Sequence, residues 1–466
     1  MQFLSDIFTN LTAAYQQQPY PGLQQRQQQL QALRHQLLVQ QQALLQALTA
    51  DFGQRCHSDS QTLEILPSIS SIDHSLKQLK KWLKPQKRHV SWLFLPARNF
   101  VVYQPLGVVG IIAPWNYPVF LSLGPLVAAI SAGNKAMLKL SEFTPHTNQV
   151  LKNIIETALP NAAVVIEGDA AVAASFSQLP FQHLLYTGST AVGYQVMRAA
   201  SANLTPVTLE LGGKSPLILA PDVNITHMAE RIIFGKTANA GQTCVAPDYL
   251  LVHQTQLEQT IAALQAEFQQ FYPAQSFAQN YPAIINERHY QRLQTYLTSA
   301  KAAGAEIISC LPTSAEHQQK RLLPLTLVLN APLDCALWTE EIFGPILPVF
   351  VYNHIDEAFD FIKQRPRPLA LYLFSNNKQL QQRVLTHSHA GGVCINETLV
   401  HVGQEDLPFG GIGPSGMGAY HGKEGFLTFS HTKAVHQKGW LNSSVLAYPQ
   451  HRPKIFDSLL QWLLRP

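Results

Sequence analysis

The alternation of short apolar runs with amphipathic segments between residues 106 and 213 constrains the fold most. "GVVGIIAP", "KAMLKLS", "AAVVIEG", "FQHLLYTGS" and "PVTLELGG" are predicted strands, while "PVFLSLGPLVAAISAG", "PHTNQVLKNIIETAL" and "TAVGYQVMRAASA" are predicted helices. Strands joined by helices favour a parallel sheet with helices on both faces. A second region of this kind runs from about residue 213 past residue 400. The sequence therefore predicts an α/β fold.

The N-terminal part is rich in glutamine but keeps helical spacing. "LEILPSISSIDHSLKQLKKWL" predicts one helix, and the proline-broken stretch "PQKRHVSWLFLPARNFVVYQPLG" after it is strand-like. A further helix is predicted over residues 23–50, with a disordered glutamine tract as the competing interpretation. The leucines that would share one face of that helix are Leu30, Leu33, Leu37, Leu44 and Leu48.

Length and charge limit the classes of function. A chain of 466 residues with 46% hydrophobic residues suggests two or three domains. A net charge of +4 without a basic block makes nucleic acid an unexpected partner. The N-terminus lacks the pattern of a signal peptide, and no apolar run reaches the roughly 18–20 residues of a membrane span. We expect a cytoplasmic protein with no membrane span.

Five cysteines occur, an odd number, without any CxxC pair. This pattern argues against a disulfide framework and against a metal site. Cys244 lies among small residues in "TANAGQTCVAP" and could be a packed thiol or a nucleophile. The other four, which we expect to be packing or surface thiols, are Cys56, Cys310, Cys335 and Cys394.

Polar residues and glycines follow the predicted strands, at the edge where parallel sheets bind ligands. Glu210 is a carboxylate in an otherwise apolar strand, so it is either a tuned general base or one half of an ion pair, for example with Lys214. In "YTGSTAVG" the turn between Gly188 and Gly193 could bind a phosphate or simply join strand to helix. The other residues at these ends are Asn116, Lys139, Glu142 and Ser189.

Seven motifs in one order resemble the aldehyde dehydrogenase superfamily: "APWNYP", "KLSE", "YTGST", "LELGGKSP", "GQTC", "EEIFGP" and "LPFGGIGPSGMGAYHGKEGF". The last of them resembles the class 3 branch, and within it the bacterial coniferyl-aldehyde dehydrogenases. This resemblance implies that Cys244 is the nucleophile and Glu210 the general base. It also implies that Asn116 and the backbone N–H of Cys244 form the oxyanion hole.

The resemblance further implies an NAD cofactor, with NADP possible. Lys139 and Glu142 match groups that bind the adenosine ribose. Trp115 and Ser189 match residues near the phosphates, and Ser189 lies in the turn that contains Gly188 and Gly193. Glu341 matches the ligand of the nicotinamide ribose, and Phe343 packs at that end.

The implied reaction is oxidation of an aldehyde to the carboxylic acid through a thioacyl intermediate. The expected substrates are aromatic aldehydes such as coniferyl aldehyde, or medium-chain aliphatic ones. A coenzyme-A-acylating enzyme and a catalytically silent relative are the alternatives. We expect His401 to be a hydrogen-bonded structural residue rather than part of the tunnel. The residues expected to line the tunnel are Tyr117, Thr243, Val245 and Phe409.

The predicted domains follow the same resemblance. Residues 1–82 and 106–212 form a Rossmann-like NAD(P)-binding domain, and residues 213–415 the catalytic domain. A small β element for oligomerisation combines residues 83–105 and 425–445, which implies a homodimer. The tail, residues 446–466, is amphipathic and could lie on a membrane surface. Asp457 and the lack of flanking basic clusters favour docking on its own protein instead.

Overall fold

The computed structural model describes residues 2–442, 444–445, 448–450 and 453–465. Its strands, in chain order, are β1 (Gln86–Arg88), β2 (Ala97–Pro105), β3 (Val108–Ile112), β4 (Lys135–Lys139), β5 (Ala163–Ile166), β6 (His183–Gly188), β7 (Val207–Leu211), β8 (Pro216–Leu219), β9 (Tyr249–His253), β10 (Glu306–Ser309), β11 (Thr326–Leu329), β12 (Ile346–Tyr352), β13 (Ala370–Phe374), β14 (Gly392–Ile395), β15 (Gly416–Met417) and β16 (Ser430–Lys438).

The helices contain every helical segment expected from residue 106 to 213, so the predicted α/β fold is confirmed. They are α1 (Gln2–Gln17), α2 (Leu23–Val39), α3 (Gln41–Phe52), α4 (His57–Ser60), α5 (Leu66–Trp82), α6 (Phe120–Ala132), α7 (Pro145–Ala158), α8 (Ala170–Ser177), α9 (Thr190–Ser201), α10 (Ala229–Thr237), α11 (Leu257–Phe271), α12 (Phe277–Asn280), α13 (Glu287–Ala302), α14 (Ala315–Gln319), α15 (Ala336–Thr339), α16 (Ile355–Lys363), α17 (Lys378–His387), α18 (Gly422–Thr428) and α19 (Lys454–Leu463).

Three sheets organise the chain. The first has the order β15-β7-β6-β3-β4-β5 and is parallel except for β15. The second has the order β10-β11-β12-β9-β8-β13-β14 and is parallel except for β10. The third is the antiparallel sheet β1-β2-β16. β15 follows the predicted catalytic domain in sequence but pairs with β7 of the first sheet, and the domain limits themselves stay a prediction.

Strand β3 lies at the switch point of the first sheet, where the order of the strands reverses. The chain adds β4 and β5 on one side of β3, and β6 and β7 on the other. All five of its residues are buried, as a strand covered on both faces requires. Ligands of such sheets bind beyond the carboxyl ends of the strands at this switch point. The segment that follows β3 contains Trp115, Asn116 and Tyr117.

The glutamine-rich segment is helical, and its five leucines are all fully buried. It forms two helices rather than the one predicted, because the backbone leaves the helical region at Gln40 (ψ 10°). α2 packs on α5, α6 and α7, whereas α3 packs on α7 and α4. The break lets both helices turn their leucines into the core.

The amphipathic tail forms α19, and its docking on the rest of the protein stays a prediction. None of the described residues of α19 is buried, and the side chains of Ile455 and Trp462 are 78% and 63% exposed. Amphipathic spacing shows that a helix has an apolar face without showing what covers that face. Residues 446, 447, 451, 452 and 466 of the tail lie outside the described residues.

Candidate active site

A cavity of about 290 Å³ lies where the first two sheets meet, and both Cys244 and Glu210 line it. Most of the lining is apolar. The apolar side chains include Leu63, Phe120, Phe234, Leu369, Leu399 and Val402, and the four residues expected in a substrate tunnel, Tyr117, Thr243, Val245 and Phe409, line the same cavity. A cavity that is mostly apolar with a few polar groups is typical of a small-molecule site.

The backbone before Cys244 is tightly constrained. Asn239, Ala240 and Gly241 are three consecutive residues with positive φ (50°, 53° and 71°). A Cβ on Gly241 would come within 2.9 Å of the carbonyl oxygen of Lys236. Further along, the side-chain amide of Gln242 donates to the carbonyl of Ala283 at 3.1 Å and accepts from the N–H of Ile285 at 2.9 Å. These contacts hold the cysteine, which is partly accessible, at the cavity wall.

Asn116 touches the same turn. Its Nδ2 donates to the carbonyl oxygen of Gln242 at 3.0 Å, two residues before the cysteine. Its own carbonyl oxygen accepts from Nδ2 of Asn239 at 2.9 Å. Asn116 is 3% exposed and does not belong to the described cavity lining. Because Nδ2 has two hydrogens, one is left after this hydrogen bond.

The carboxylate of Glu210 is buried without an ion-pair partner. Within the described part of the chain, neither carboxylate oxygen has a hydrogen-bond partner. Burial raises the pKa of Glu210 well above its ordinary value. Lys214 instead pairs with Asp248 and also donates to the carbonyls of Leu337 (2.8 Å) and Glu340 (2.9 Å). The interpretation of Glu210 as an ion-pair partner of Lys214 was therefore wrong.

The thiol of Cys244 is a weak acid in this setting. Burial raises its pKa to about 12, and the negative charges of Glu341 and Glu210 add to this effect, although the backbone N–H groups of Cys244 and Val245 oppose it. Burial also raises the pKa of Glu341 to about 8. At pH 7 the thiol of Cys244 and the carboxyl group of Glu341 are therefore mostly neutral.

Four of the residues expected to bind the cofactor contact one another in two pairs, Lys139 with Glu142 and Trp115 with Phe343. Lys139 is buried at the end of β4, where Nζ donates to the carbonyl of Leu140 (2.7 Å) and lies 3.7 Å from the carboxylate of Glu142. Glu142 is 40% exposed. Trp115 meets Phe343 edge-on, with ring centroids 5.4 Å apart. Phe343 has φ of 48°, so the chain turns sharply there.

The glycine turn before α9 has two separate uses. Ser189 caps α9, its Oγ accepting from the N–H of Val192 at 3.4 Å after Gly188 ends β6. A Cβ on Gly193 would come within 2.7 Å of Leu211 Cδ2. Gly193 therefore lets α9 lie close to β7.

A sequence profile of the aldehyde dehydrogenase family matches residues 6–435. The chain belongs to the aldehyde dehydrogenase family. It is an NAD(P)-dependent oxidoreductase of this family, as the motifs predicted, and members of the family use NAD or NADP.

The enzyme has similar relatives in the predicted branch. It is 51% identical over 453 residues (97% of this chain, 94% of the relative) to the "Probable coniferyl aldehyde dehydrogenase" of Pseudomonas aeruginosa. It is 39% identical to "Aldehyde dehydrogenase family 3 member A2" of Mus musculus (94% of this chain, 88% of the relative). The solved structure "Substrate bound state of Staphylococcus Aureus AldH" superposes with a TM-score of 0.92 at 40% identity, covering 98% of this chain and 99% of that one.

The edge of the first sheet fits a dinucleotide cofactor. The hydroxyl of Thr187 is buried there without a partner among the described residues, and it lines the cavity beside Glu210, its neighbour across the β6–β7 pair. The carboxylate of Glu341 lies against Gly212, where there is no side chain to exclude it. Glu142, after β4, adds an exposed carboxylate that can accept hydrogen bonds from hydroxyl groups.

Sequence reasoning missed two buried charged residues near the site, Arg55 and Glu64, whose side chains pair at 2.6 Å. Neither lies in a motif, and the sequence carries no signal that brings them to Cys244. It also missed Tyr420, which lines the cavity and lies within the motif "SGMGAYHGKEGF".

His401 differs from its expected role. Burial lowers its pKa to about 4, and neither ring nitrogen has a hydrogen-bond partner in the described structure. The ring instead lies at 5.9 Å from the ring of Tyr372 and against Gly392. The expectation of a hydrogen-bonded histidine was therefore wrong, because the segment 400–403 turns the ring toward apolar neighbours.

Two further properties concern metals and membranes. The described residues contain no group of three or more His, Cys, Asp or Glu side chains placed to hold a metal ion. In that same part of the chain no helix combines the length and the apolar character needed to cross a bilayer.

Proposed function

We propose that the enzyme oxidises an aldehyde to the carboxylic acid through a thioacyl intermediate on Cys244. The observation that carries this proposal is the convergence of Cys244 and the unpartnered carboxylate of Glu210 on one apolar cavity. The thiolate adds to the aldehyde carbon, and the carbonyl oxygen becomes an oxyanion. The second amide hydrogen of Asn116 and the N–H of Cys244 stabilise that charge.

The remaining steps use Glu210. The nicotinamide cofactor, when bound, accepts the hydride that leaves the substrate carbon. Glu210 then takes a proton from water, the hydroxide adds to the thioacyl carbon, and the thiolate of Cys244 leaves as the carboxylic acid forms. Because burial raises the pKa of Glu210, hydrolysis should be faster at higher pH, where the carboxylate is ionised.

The proposed cofactor contacts follow the edge of the first sheet. Glu142 and Lys139 bind the adenosine ribose, and Glu341 binds the nicotinamide ribose with Phe343 packed beside it. Trp115, Ser189 and the glycines at 188 and 193 are the residues that would hold the phosphates. The exposed carboxylate of Glu142 supports this assignment, since it has room to accept hydrogen bonds.

We propose aromatic aldehydes such as coniferyl aldehyde, or medium-chain aliphatic ones, as substrates. The apolar lining supports this choice, and a relative 51% identical is named as a probable coniferyl aldehyde dehydrogenase. Each buried methylene should add about 0.8 kcal/mol of binding, or about fourfold in kcat/KM. A kcat/KM that stays flat from acetaldehyde through octanal and coniferyl aldehyde would contradict an apolar tunnel.

The covalent step is tested by removing the thiol. Cys244→Ala should abolish NADH formation at 340 nm and leave no acyl group on the protein by mass spectrometry. The matched control is Cys335→Ala, because Cys335 is a half-buried cysteine that is not among the residues that line the cavity. This variant should keep both NADH formation and the acyl group. Normal turnover in Cys244→Ala would overturn the proposal.

We also propose a cytoplasmic homodimer that uses residues 83–105 and 425–445. The antiparallel pairing of β2 with β16 joins these two segments into one sheet, which supports a common role for them. The five cysteines are free thiols in the described structure, as is usual in a reducing compartment.

A further inference from the structure

Arg55 and Glu64 form a buried ion pair beside the active site. Their side chains are 1% and 0% exposed, and Nη1 of Arg55 lies 2.6 Å from Oε1 of Glu64. Such a pair is weak evidence for stability, because the cost of desolvating both charges can exceed their attraction.

The second oxygen of Glu64 fixes the start of α6. Oε2 accepts from the N–H of Val119 at 2.7 Å and from the N–H of Phe120 at 3.3 Å. A carboxylate at the N-terminus of a helix also interacts favourably with the helix dipole. Glu64 belongs to a π-helical turn, Gln61–Ile65, of the kind often found at functional sites.

Arg55 contacts the segment between β3 and α6. Its Nη1 lies 3.4 Å from the carbonyl oxygen of Asn116, and its guanidinium lies over the ring of Tyr117, 5.2 Å from the centroid. The ring of Phe52 is 4.7 Å away. The hydroxyl of Tyr117 in turn shares a hydrogen bond of 2.7 Å with Thr243, the neighbour of Cys244.

Arg55 and Glu64 thus hold both ends of the segment 116–120. We propose that they are positioning residues, which fix the amide of Asn116 and the hydroxyl of Tyr117 relative to the sulfur of Cys244. This inference rests on the proposed function, since it assigns Asn116 to the oxyanion. Preorganised donors stabilise an oxyanion only if they stay in place, and a shift of about 1 Å can cost about a hundredfold in rate.

The test compares Arg55→Met, Arg55→Lys and Glu64→Gln in the full-length enzyme, with active sites counted by titration of Cys244. Per site, Arg55→Met should lower the rate of the NADH burst tenfold to a hundredfold. Glu64→Gln should do the same to a smaller extent, because an amide oxygen can still accept from Val119. KM for NAD and the rate of alkylation of Cys244 by iodoacetamide should change less than twofold, because neither involves the oxyanion.

Arg55→Lys should recover part of the burst rate lost in Arg55→Met, because lysine keeps the positive charge. The recovery should be incomplete, because lysine cannot contact the carboxylate of Glu64, the carbonyl of Asn116 and the ring of Tyr117 together. Arg34→Ala, which removes an exposed ion pair with Asp73 between α2 and α5, is the control and should leave the burst unchanged. Normal burst rates per site in Arg55→Met, even with a lowered Tm, would overturn the inference. Turnover by Cys244→Ala would instead overturn the proposed function.

Discussion

The carboxylate of Glu341 fills the space beside Gly212 that a side chain would occupy. A Cβ on Gly212 would collide with both carboxylate oxygens, and the N–H of Gly213 donates to the same carboxylate. The glycine is therefore what allows Glu341 to lie there, close enough for its charge to act on the thiol of Cys244.

Replacing Gly212 with alanine should displace Glu341. If Glu341 binds the nicotinamide ribose, Gly212→Ala should raise KM for NAD about tenfold, as expected for the loss of one hydrogen bond to a charged group. Gly213→Ala is the matched control, because its Cβ would lie 3.4 Å from Pro368 Cα, in ordinary contact. Titration of NAD binding would compare the two variants, and thermal unfolding would show whether both stay folded. Equal losses of NAD affinity in Gly212→Ala and Gly213→Ala would contradict the role of Gly212.

Glu210→Gln should separate the two halves of the reaction. The amide keeps the shape of the carboxylate but cannot take a proton from water. Steady-state turnover should fall about 100- to 10,000-fold, with a burst of up to one NADH per site and the acyl group on Cys244 by mass spectrometry. Near-normal turnover would return Glu210 to a structural role. A slowed burst that alkaline pH restores would show that Glu210 also deprotonates the thiol.

The reactivity of Cys244 in the free enzyme should depend steeply on pH. Burial raises its pKa to about 12, so only the small thiolate fraction reacts, and that fraction grows about tenfold per pH unit below the pKa. The rate of alkylation by iodoacetamide should therefore rise about tenfold per unit up to about pH 8, and less steeply from pH 8 to 9, where Glu341 ionises and raises the pKa of the thiol. A plateau below pH 9 would contradict the raised pKa.

Glu341→Gln should speed this alkylation, but only above about pH 8. Below that pH the carboxyl of Glu341 is mostly protonated, because its own pKa is raised to about 8. Above it, the ionised carboxylate raises the pKa of the thiol, and the neutral amide does not. Glu142→Gln, at the other end of the proposed cofactor site, should alkylate like the wild-type enzyme at every pH.

The enzyme should prefer NAD while retaining measurable activity with NADP. A 2′-phosphate at the adenosine ribose would meet the carboxylate of Glu142, a like charge that Lys139 offsets in part. Glu142→Gln should raise kcat/KM for NADP relative to NAD about fivefold, equivalent to about 1 kcal/mol. Glu316→Gln, exposed on α14, should leave the ratio unchanged. A wild-type preference for NADP would show that the assignment of Glu142 is wrong.

The strands from residue 106 to 213, and three of the four helices there, could be predicted because their signals are local; α8 was missed. An apolar run such as Val108–Ile112 shows its burial in its own composition, and Gly133 marks the end of α6 through its positive φ of 93°. The break at Gln40 could not be predicted, since it depends on which helices α2 and α3 pack against.

The residues of the site divide in the same way. The sequence by itself determined the family and singled out Cys244, Glu210 and Asn116, because these lie in motifs that are contiguous in the chain. It left open whether Glu210 pairs with Lys214, and it gave no sign of Arg55 or Glu64.

Only the tertiary structure decided those questions. Ion pairing depends on distances between residues far apart in sequence: Lys214 meets Asp248 and leaves Glu210 unpaired, while Arg55 and Glu64 reach the segment after β3 across about 60 residues of chain. A local pattern can place a charged residue on a strand or a turn. The packing of the whole chain decides which opposite charge lies within about 4 Å of that residue. It therefore also decides whether a partner or burial alone sets the pKa of the residue.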